Sequence, residues 1–376
     1  MREFHLFDFP ENIYVGLDNS FRKKLFSKCI SKIGTKYKLA KYLNVDYKAI
    51  NNWINGYRRM YGKLWKEFIP LHILKKLSDL SKISKREIEN NTKAYKIKGG
   101  KGLVIKNPIL PIKETPALIR LLSHFIGDGY GKTYTVYANK CRRLCIQFQK
   151  DLAIFGEVYT HLIYNKIKNI YILSSLKVIP DLIRHFYKID LETFNSKVPK
   201  RLYSLPKKYA AEFLKAFIDD EGNIEDSGMR IYSGNKKLIK GIYKLIRHKF
   251  PNIEVKFCKY SVSAREYKLR IPKSSLPTFV KEVGDLYHPI KNERLHFILK
   301  LIKQPKKMKG NKWYETKQNI LKFIKNNPST IYELSKEFMI TESAIRMHLN
   351  NLGKDKLINP LGKTDTRAFI WGSNGS

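Results

Sequence analysis

Two acids stand at matching places in this chain. Asp128 lies in "LLSHFIGDGYG" (121–131) and Glu221 in "FLKAFIDDEGNI" (213–224); each ends an apolar run of helical period and is followed by glycine. Glycine just past a helix end is an ordinary C-cap. The acid is not ordinary, because a helix C-terminus already carries partial negative charge and a carboxylate there is unfavourable. Something positive must offset it. If the two helices pack side by side, Asp128 and Glu221 become a pair of hard oxygen ligands suited to Mg²⁺ or a similar divalent cation. Ser123 and Gly127, small residues at i, i+4 spacing, would allow that approach.

The charge points to the partner. The chain of 376 residues carries 73 Lys+Arg against 33 Asp+Glu, a net +40 spread along its length, with 43% apolar residues, enough to bury ordinary cores. Such a balance implies a polyanion, and double-stranded DNA is the expected partner. No run approaches the 18 or so apolar residues of a membrane span, and the opening "MREFHLFDFP" has acids where a signal peptide would be apolar. No membrane association is expected, and the location is read as cytoplasmic, beside the nucleoid. Cys29, Cys141, Cys145 and Cys258 lack zinc-site spacing and read as reduced, packed thiols. There is no GxxxxGK[ST] loop and no HExxH helix.

Punctuation by Gly, Pro and Lys divides the chain into residues 1–98, a linker at 99–116, a long α+β region at 117–303, a basic linker at 304–312 and a tail domain at 313–376. Residues 36–59 have helix-turn-helix spacing, with Lys48, Asn51, Asn52 and Asn55 presented by the second helix, types that meet base edges and phosphates. In the tail, three helical patterns precede "INPLGKTDTRAFIWG", which alternates around a turn as a β-hairpin does. Thr341 is the expected N-cap of the third helix. This region resembles winged-helix DNA-binding domains, which implies recognition by Ser343, Arg346, His348, Asn350 and Lys354.

The region 117–303 reads as two copies, 117–207 and 208–303, each with the order helix, two strands, helix, strands, helix. In the first, "ALIRLLSHFIGDG" is read as a helix, "TYTVYAN" and "RLCIQFQ" as strands, "DLAIFGEVYTHLIYN" as a helix, "NIYILSS" as a strand and "IPDLIRHFYK" as a helix. "YILSSLK" and "YKLRIPK" fix the register, each placing a Lys six residues after a Tyr.

"LLSHFIGDG" and "LKAFIDDEG" resemble the two motifs of single-chain LAGLIDADG homing endonucleases, of the free-standing, archaeal-like type. The likeness covers roughly residues 110–303. It implies a pseudo-twofold duplicated αββαββα domain, flanked here by the helix-turn-helix and winged-helix regions. Asp128 and Glu221 match the motif's metal-ligating acid, and Gly127 and Asp220 the residue before it, whose carbonyl often helps. Lys177 and Lys273 fall where the family keeps a peripheral basic residue near the active site, and Gln149 matches its water-positioning residue, with Asn235 as a weaker counterpart; the resemblance implies a catalytic role for Lys177, Lys273 and Gln149. Lys215 and Asp220 depart from the family's small residues. The chain begins with Met and ends "NGS", without an intein's terminal residues, and is read as free-standing.

The function implied is metal-dependent double-strand cleavage of a long asymmetric DNA site by a monomer, with Mg²⁺ as cofactor. Arg142, Arg143, Arg230, Lys256, Lys259, Arg265 and Lys268 are candidate contacts of the strands with DNA. Two alternatives stay open: a transcription regulator built on an inactive copy of the same fold, and an RNA intron maturase.

Overall fold

A computed structural model describes residues 2–56, 67–98, 104–130, 135–192, 194–258, 260–303, 312–364 and 368–373. Strands β1 (Glu3–Phe4) and β2 (Ile13–Leu17) lead into helices α1 (Asn19–Ile33), α2 (Lys36–Leu43) and α3 (Tyr47–Asn55). Asp18, Thr35 and Asp46 each accept a hydrogen bond from a first-turn N–H, which starts the three helices. Asn44, left-handed at φ 55°, ends α2 and makes the short turn to α3.

Next come β3 (Ile69–Pro70), α4 (Leu71–Ser81), α5 (Lys85–Asn90), β4 (Thr92–Ile97), β5 (Ile105–Lys106) and β6 (Ile112–Lys113). The N-terminal region therefore holds a sheet, β3-β2-β4-β5, beside its helices, while β1 pairs with β6. Strands β5 and β6 fall within 99–116, the stretch read as a linker, and one hydrophobic core runs from Phe4 to Ile298. Two-residue strands carry no periodicity that would reveal them in sequence.

The first copy comprises α6 (Pro116–Ile126), β7 (Gly129–Tyr130), β8 (Thr135–Asn139), α7 (Arg142–Asp151), β9 (His161–Asn165), β10 (Ile170–Ser175) and α8 (Val178–Tyr187). The second comprises α9 (Lys207–Glu221), β11 (Gly222–Glu225), β12 (Gly228–Ser233), α10 (Lys236–Lys249), β13 (Lys256–Phe257), β14 (Tyr267–Pro272) and α11 (Leu276–Glu282). Both have the order αββαββα. Their antiparallel sheets, β7-β8-β10-β9 and β11-β12-β14-β13, share one topology. Two assignments inside the first copy differ from expectation. "RLCIQFQ" lies in α7, not in a strand, and "DLAIFGEVYTHLIYN" is a 3₁₀ turn at Leu152–Phe155 followed by β9, not a helix. In α7 the buried apolar residues Leu144, Cys145 and Phe148 have helical spacing, but Leu144, Ile146 and Phe148 alternate as a strand's would, so the short segment fits both periods. Gly156, at φ 118°, breaks the second segment.

The tail follows α12 (Pro289–Lys303) and comprises α13 (Lys312–Asn326), β15 (Ser329–Thr330), α14 (Ile331–Glu337), α15 (Glu342–Lys354), β16 (Ile358–Lys363) and β17 (Phe369–Ser373). It has its own core around Ile320, Ile324, Leu334 and Leu349. The expected three helices and hairpin are present, and Thr341 caps α15 through Ala344 N at 3.2 Å. The basic linker at 304–312 lies outside the described residues except for Lys312, and so does Lys259. All four cysteines are free thiols, with Cys29 and Cys145 buried. No helix among the described residues is long and apolar enough to cross a membrane.

Candidate functional site

Helix α6 starts on Thr115, whose hydroxyl accepts the Leu118 N–H, with Pro116 in its first turn. It is buried nearly all round and packs along α9. Contact is close enough for Ser123 Oγ to donate to the Phe213 carbonyl at 2.7 Å. A Cβ added at Gly127 would lie 2.9 Å from Asp220 Oδ2. The two small residues are thus where the helices meet, as their spacing predicts.

The two departures from small residues are absorbed differently. Asp220 tucks its carboxylate into the space that Gly127 leaves, where it accepts from Tyr137 Oη at 2.6 Å and pairs with His124 Nδ1 at 2.9 Å. Lys215 turns aside, 2.5 Å from Glu212 Oε1 and 3.3 Å from Tyr287 Oη. That cluster ties the copies together, because Arg120 of α6 binds Asp151 through two bonds of 2.6 Å and also reaches Glu212 and Tyr287.

At the helix ends the acids form one cluster. Asp128 accepts from Asn139 Nδ2 at 3.0 Å. Burial, with the neighbouring charges of Asp220 and Glu221, pushes its carboxyl up to about 7. Burial and Asp220 raise Glu221 as well, against the opposing charge of Lys291. Burial lifts Asp219 to about 6, although its carboxylate accepts the Tyr287 and His288 N–H groups at 3.0 Å each. His124 is fully buried; desolvation works against its charged form, but Asp220 outweighs that and raises its pKa.

The positive group facing these acids is Lys291 of α12. Its ammonium donates to the carbonyls of Ile218 at 3.0 Å and Asp219 at 2.5 Å, capping the end of α9, and it lies within electrostatic reach of Asp128, Asp219, Asp220 and Glu221. Burial still lowers its pKa. Among the described residues no group of three or more His, Cys, Asp or Glu is arranged to hold a metal by itself.

A pH dependence follows. Asp128 and Asp219 bind their protons more tightly folded than unfolded. The stability this contributes is complete below their ordinary value of 3.8 and is lost as pH rises through about 6 to 7. The Tm of the protein in EDTA is expected to rise as pH is lowered from about 7.5 to about 5, Asp128 and Asp219 outweighing the opposite contribution of His288, which burial holds down at about 4, and millimolar Mg²⁺ to flatten that slope. A Tm that fell on acidification, with or without Mg²⁺, would contradict this account of the cluster.

The other anticipated residues are distributed more widely. Lys273 directly follows β14 and Lys177 stands two residues past the end of β10, but no hydrogen bond or ion pair among the described residues joins them to the acids. The charge of Lys177 acts on Asp181, and the Lys273 N–H donates to the Ser227 carbonyl at 3.1 Å. Gln149 is on the exposed side of α7, bonded to Thr160 Oγ1 at 2.7 Å, because its segment is a helix. Asn235 caps α10 and donates to the Ser196 carbonyl, a structural role. Arg142 and Arg143 project from the first turn of α7, not from a strand. Arg230, Lys256 and Lys268 do lie on strands, and Arg265 is in the loop before β14 at φ 52°.

On α3, Lys48 and Asn55 are exposed and Asn51 and Asn52 half-buried, with Asn51 Oδ1 accepting from Lys36 at 3.2 Å. On α15, Arg346, Asn350 and Lys354 are exposed, whereas His348 is buried and stacked on Trp313 at 3.6 Å. Ser343 is engaged: Asp226, between β11 and β12, accepts from Glu342 N at 3.2 Å and from Ser343 N and Oγ at 2.7 Å each. The start of α15 is thus seated on the second sheet's hairpin.

Sequence reasoning missed Asn139, His124, Asp219 and Lys291. His124 sat inside the motif as a mere helix residue. Asn139 is marked by its place at the end of "TVYAN". Lys291 had no local signal.

A helix-turn-helix family model, described as bacterial regulatory protein, arsR family, matches residues 315–359. The DNA polymerase II large subunit of Thermococcus kodakarensis is 25% identical over 195 residues, covering 50% of this chain and 10% of that one, so the chain spans about a tenth of this relative's length. Among solved structures, I-DmoI in complex with DNA and Mn is similar at 16% identity and TM-score 0.37, covering 45% of this chain and 96% of that one. Full-length DUF199/WhiA from Thermatoga maritima is similar at 13% identity and TM-score 0.36, covering 64% of this chain and 90% of that one.

Proposed function

We propose that the chain is a site-specific DNA endonuclease, with Asp128 and Glu221 as the paired acids of its reaction centre. The observation that carries this reading is the convergence of the two helix ends: acids far apart in sequence share one half-buried cluster, close enough for Glu221 to raise the Asp128 pKa. A protein that only grips DNA gains nothing from carboxylates facing phosphates.

The donor set fits a divalent ion. Two hard carboxylates stand in excess negative charge that a cation would relieve, with the backbone carbonyls of Gly127 and Asp220 as further donors. Mg²⁺ bound there would supply Lewis acidity and a more acidic water. The remaining work belongs to the chain. Asn139, rather than Gln149, holds Asp128 in orientation. Lys291 favours the ionised form of Glu221. Lys177 and Lys273 are the proposed cations for charge developing on the phosphate, and the two sheets lie in the major groove on either side. The protein acts as a monomer on a non-palindromic site, because both halves are on one chain. Lys48, Asn51, Asn52 and Asn55 at one end, and Arg346, Asn350 and Lys354 at the other, extend the contact, with Ser343 able to join only if Asp226 releases it.

A second reading fits about equally, a DNA-binding regulator without hydrolysis. The helix-turn-helix match at 315–359 favours it, and so does Lys291, which already supplies a resident positive charge to the acids. Incubation with a random-sequence plasmid library, with and without Mg²⁺, followed by sequencing of new ends separates the two. Recurrent cuts at one sequence, in Mg²⁺ only, are expected for the nuclease; sequence-specific binding without cuts would leave the regulator.

Salt dependence tests the extent of the interface. Observed log K falls by roughly 0.9 per neutralised phosphate per decade of salt. Deleting residues 304–376 is expected to flatten that slope, and an unchanged slope would remove the tail domain from the DNA contact.

A further inference from the structure

The two sheets share a strand order, so their outer faces can be compared rung by rung. In the first, Val136 pairs with Ser174 and Ser174 with His161; on the next outward rung Ala138 pairs with Ile172 and Ile172 with Ile163. Thr135, Tyr137, Leu173 and Ser175 alternate with these and are buried on the helix side. In the second, Arg230 pairs with Arg270 and Arg270 with Lys256, and Tyr232 pairs with Lys268. Met229, Ile231, Leu269 and Ile271 are the buried alternates there.

The Tyr171 and Tyr267 echo superposes Ile172 on Lys268 and Ser174 on Arg270. Through the ladder, Val136 then matches Arg230, and His161 matches Lys256. Equivalent rungs of one duplicated fold thus carry Val-Ser-His in one copy and Arg-Arg-Lys in the other. Glu225 pairs with Arg230 and Glu254 with Lys256, each at 2.9 Å, whereas Arg270 donates only to the Ser227 carbonyl at 3.3 Å and keeps its charge without a carboxylate partner among the described residues.

We infer that the two halves read opposite base chemistry. The second sheet takes the guanine-rich half of the site, where Arg and Lys donate to guanine O6 and N7. The first takes a thymine-rich half, where Val136, Ala138, Ile163 and Ile172 contact C5-methyl groups. The inference rests on the proposal that the sheets lie in the major groove. Duplex DNA is the occupant favoured for the apolar face because exposed Lys140, Lys166 and Lys168 flank its strands. Apolar residues between phosphate-binding cations suit a groove floor better than an apolar protein partner.

The test is selection by the full chain, in EDTA, from a random-sequence duplex library. The expected consensus has guanines concentrated in one half and thymines in the other. On the selected duplex, deoxyuridine for thymidine should weaken binding roughly fourfold per contacted methyl, in the thymine half only. 7-Deazaguanine should weaken it on the order of tenfold per contacted base, in the guanine half only. Arg270→Ala should relax the guanine half and Ile172→Ser the thymine half. A consensus without this division, or one indifferent to the methyl groups, overturns the inference while leaving DNA recognition intact. No consensus at all overturns both, and leaves the apolar face to a protein partner.

Discussion

Asp128→Asn and Glu221→Gln are each expected to lower strand cleavage by about a thousandfold or more, the scale of several kcal/mol of lost charge stabilisation. DNA binding should stay intact or tighten, because each change removes negative charge beside phosphate. Folding should not suffer. Neutralising an acid at a helix end relieves roughly 0.3–1 kcal/mol of repulsion with the helix dipole, and at Asp128 it also removes a charge that burial and two neighbouring acids already disfavour. Asparagine keeps an oxygen for the Asn139 amide. The parent must first be assayed on its selected site, since failure on arbitrary DNA decides nothing. Full-rate cleavage by the double variant would end the assignment of these acids; a parent inactive on its selected site in every divalent ion would favour the regulator.

Lys291→Met should cost roughly 3–5 kcal/mol of stability near neutral pH, the usual effect of removing one partner from a buried charge cluster. The variant leaves Asp128, Asp219, Asp220 and Glu221 without the ammonium that acts on all four and uncaps the Ile218 and Asp219 carbonyls. Two conditions should recover part of the loss. Lowering the pH to about 5 protonates the raised carboxyls. Millimolar Mg²⁺ should also restore stability, and NaCl of equal ionic strength should not, if the acids bind a divalent ion. Urea unfolding across pH measures the first and Tm in the two salts the second. A variant as stable as the parent at pH 7 would mean that the acids do not need the lysine. Recovery by acid without recovery by Mg²⁺ would separate the resident charge from a metal site and strengthen the non-hydrolytic reading.

Several features were legible in sequence because their causes are local. Thr341 starts its helix, as its type and place imply, by accepting the Ala344 N–H three residues on. The repeated acid-Gly ends, the small Ser123 and Gly127, and the Tyr-to-Lys echo each lie within a stretch of seven residues or fewer, where spacing carries the information. The surplus of 40 positive charges needs no fold at all to be read.

What only the tertiary structure decided has no periodic trace. The segment "RLCIQFQ" fits a strand or a helix by its apolar spacing, and packing against β8 and β10 made it α7, which carried Arg142, Arg143 and Gln149 away from their expected places. Asp220 looks like a misfit until Gly127, His124 and Tyr137 close around it. Sequence alone posed the need for positive charge at the helix ends and suggested a metal. Folding supplied Lys291 from α12, a helix inside the stretch 208–303 but additional to the second copy's αββαββα order, because charge is compensated through space while a sequence pattern records only neighbours along the chain.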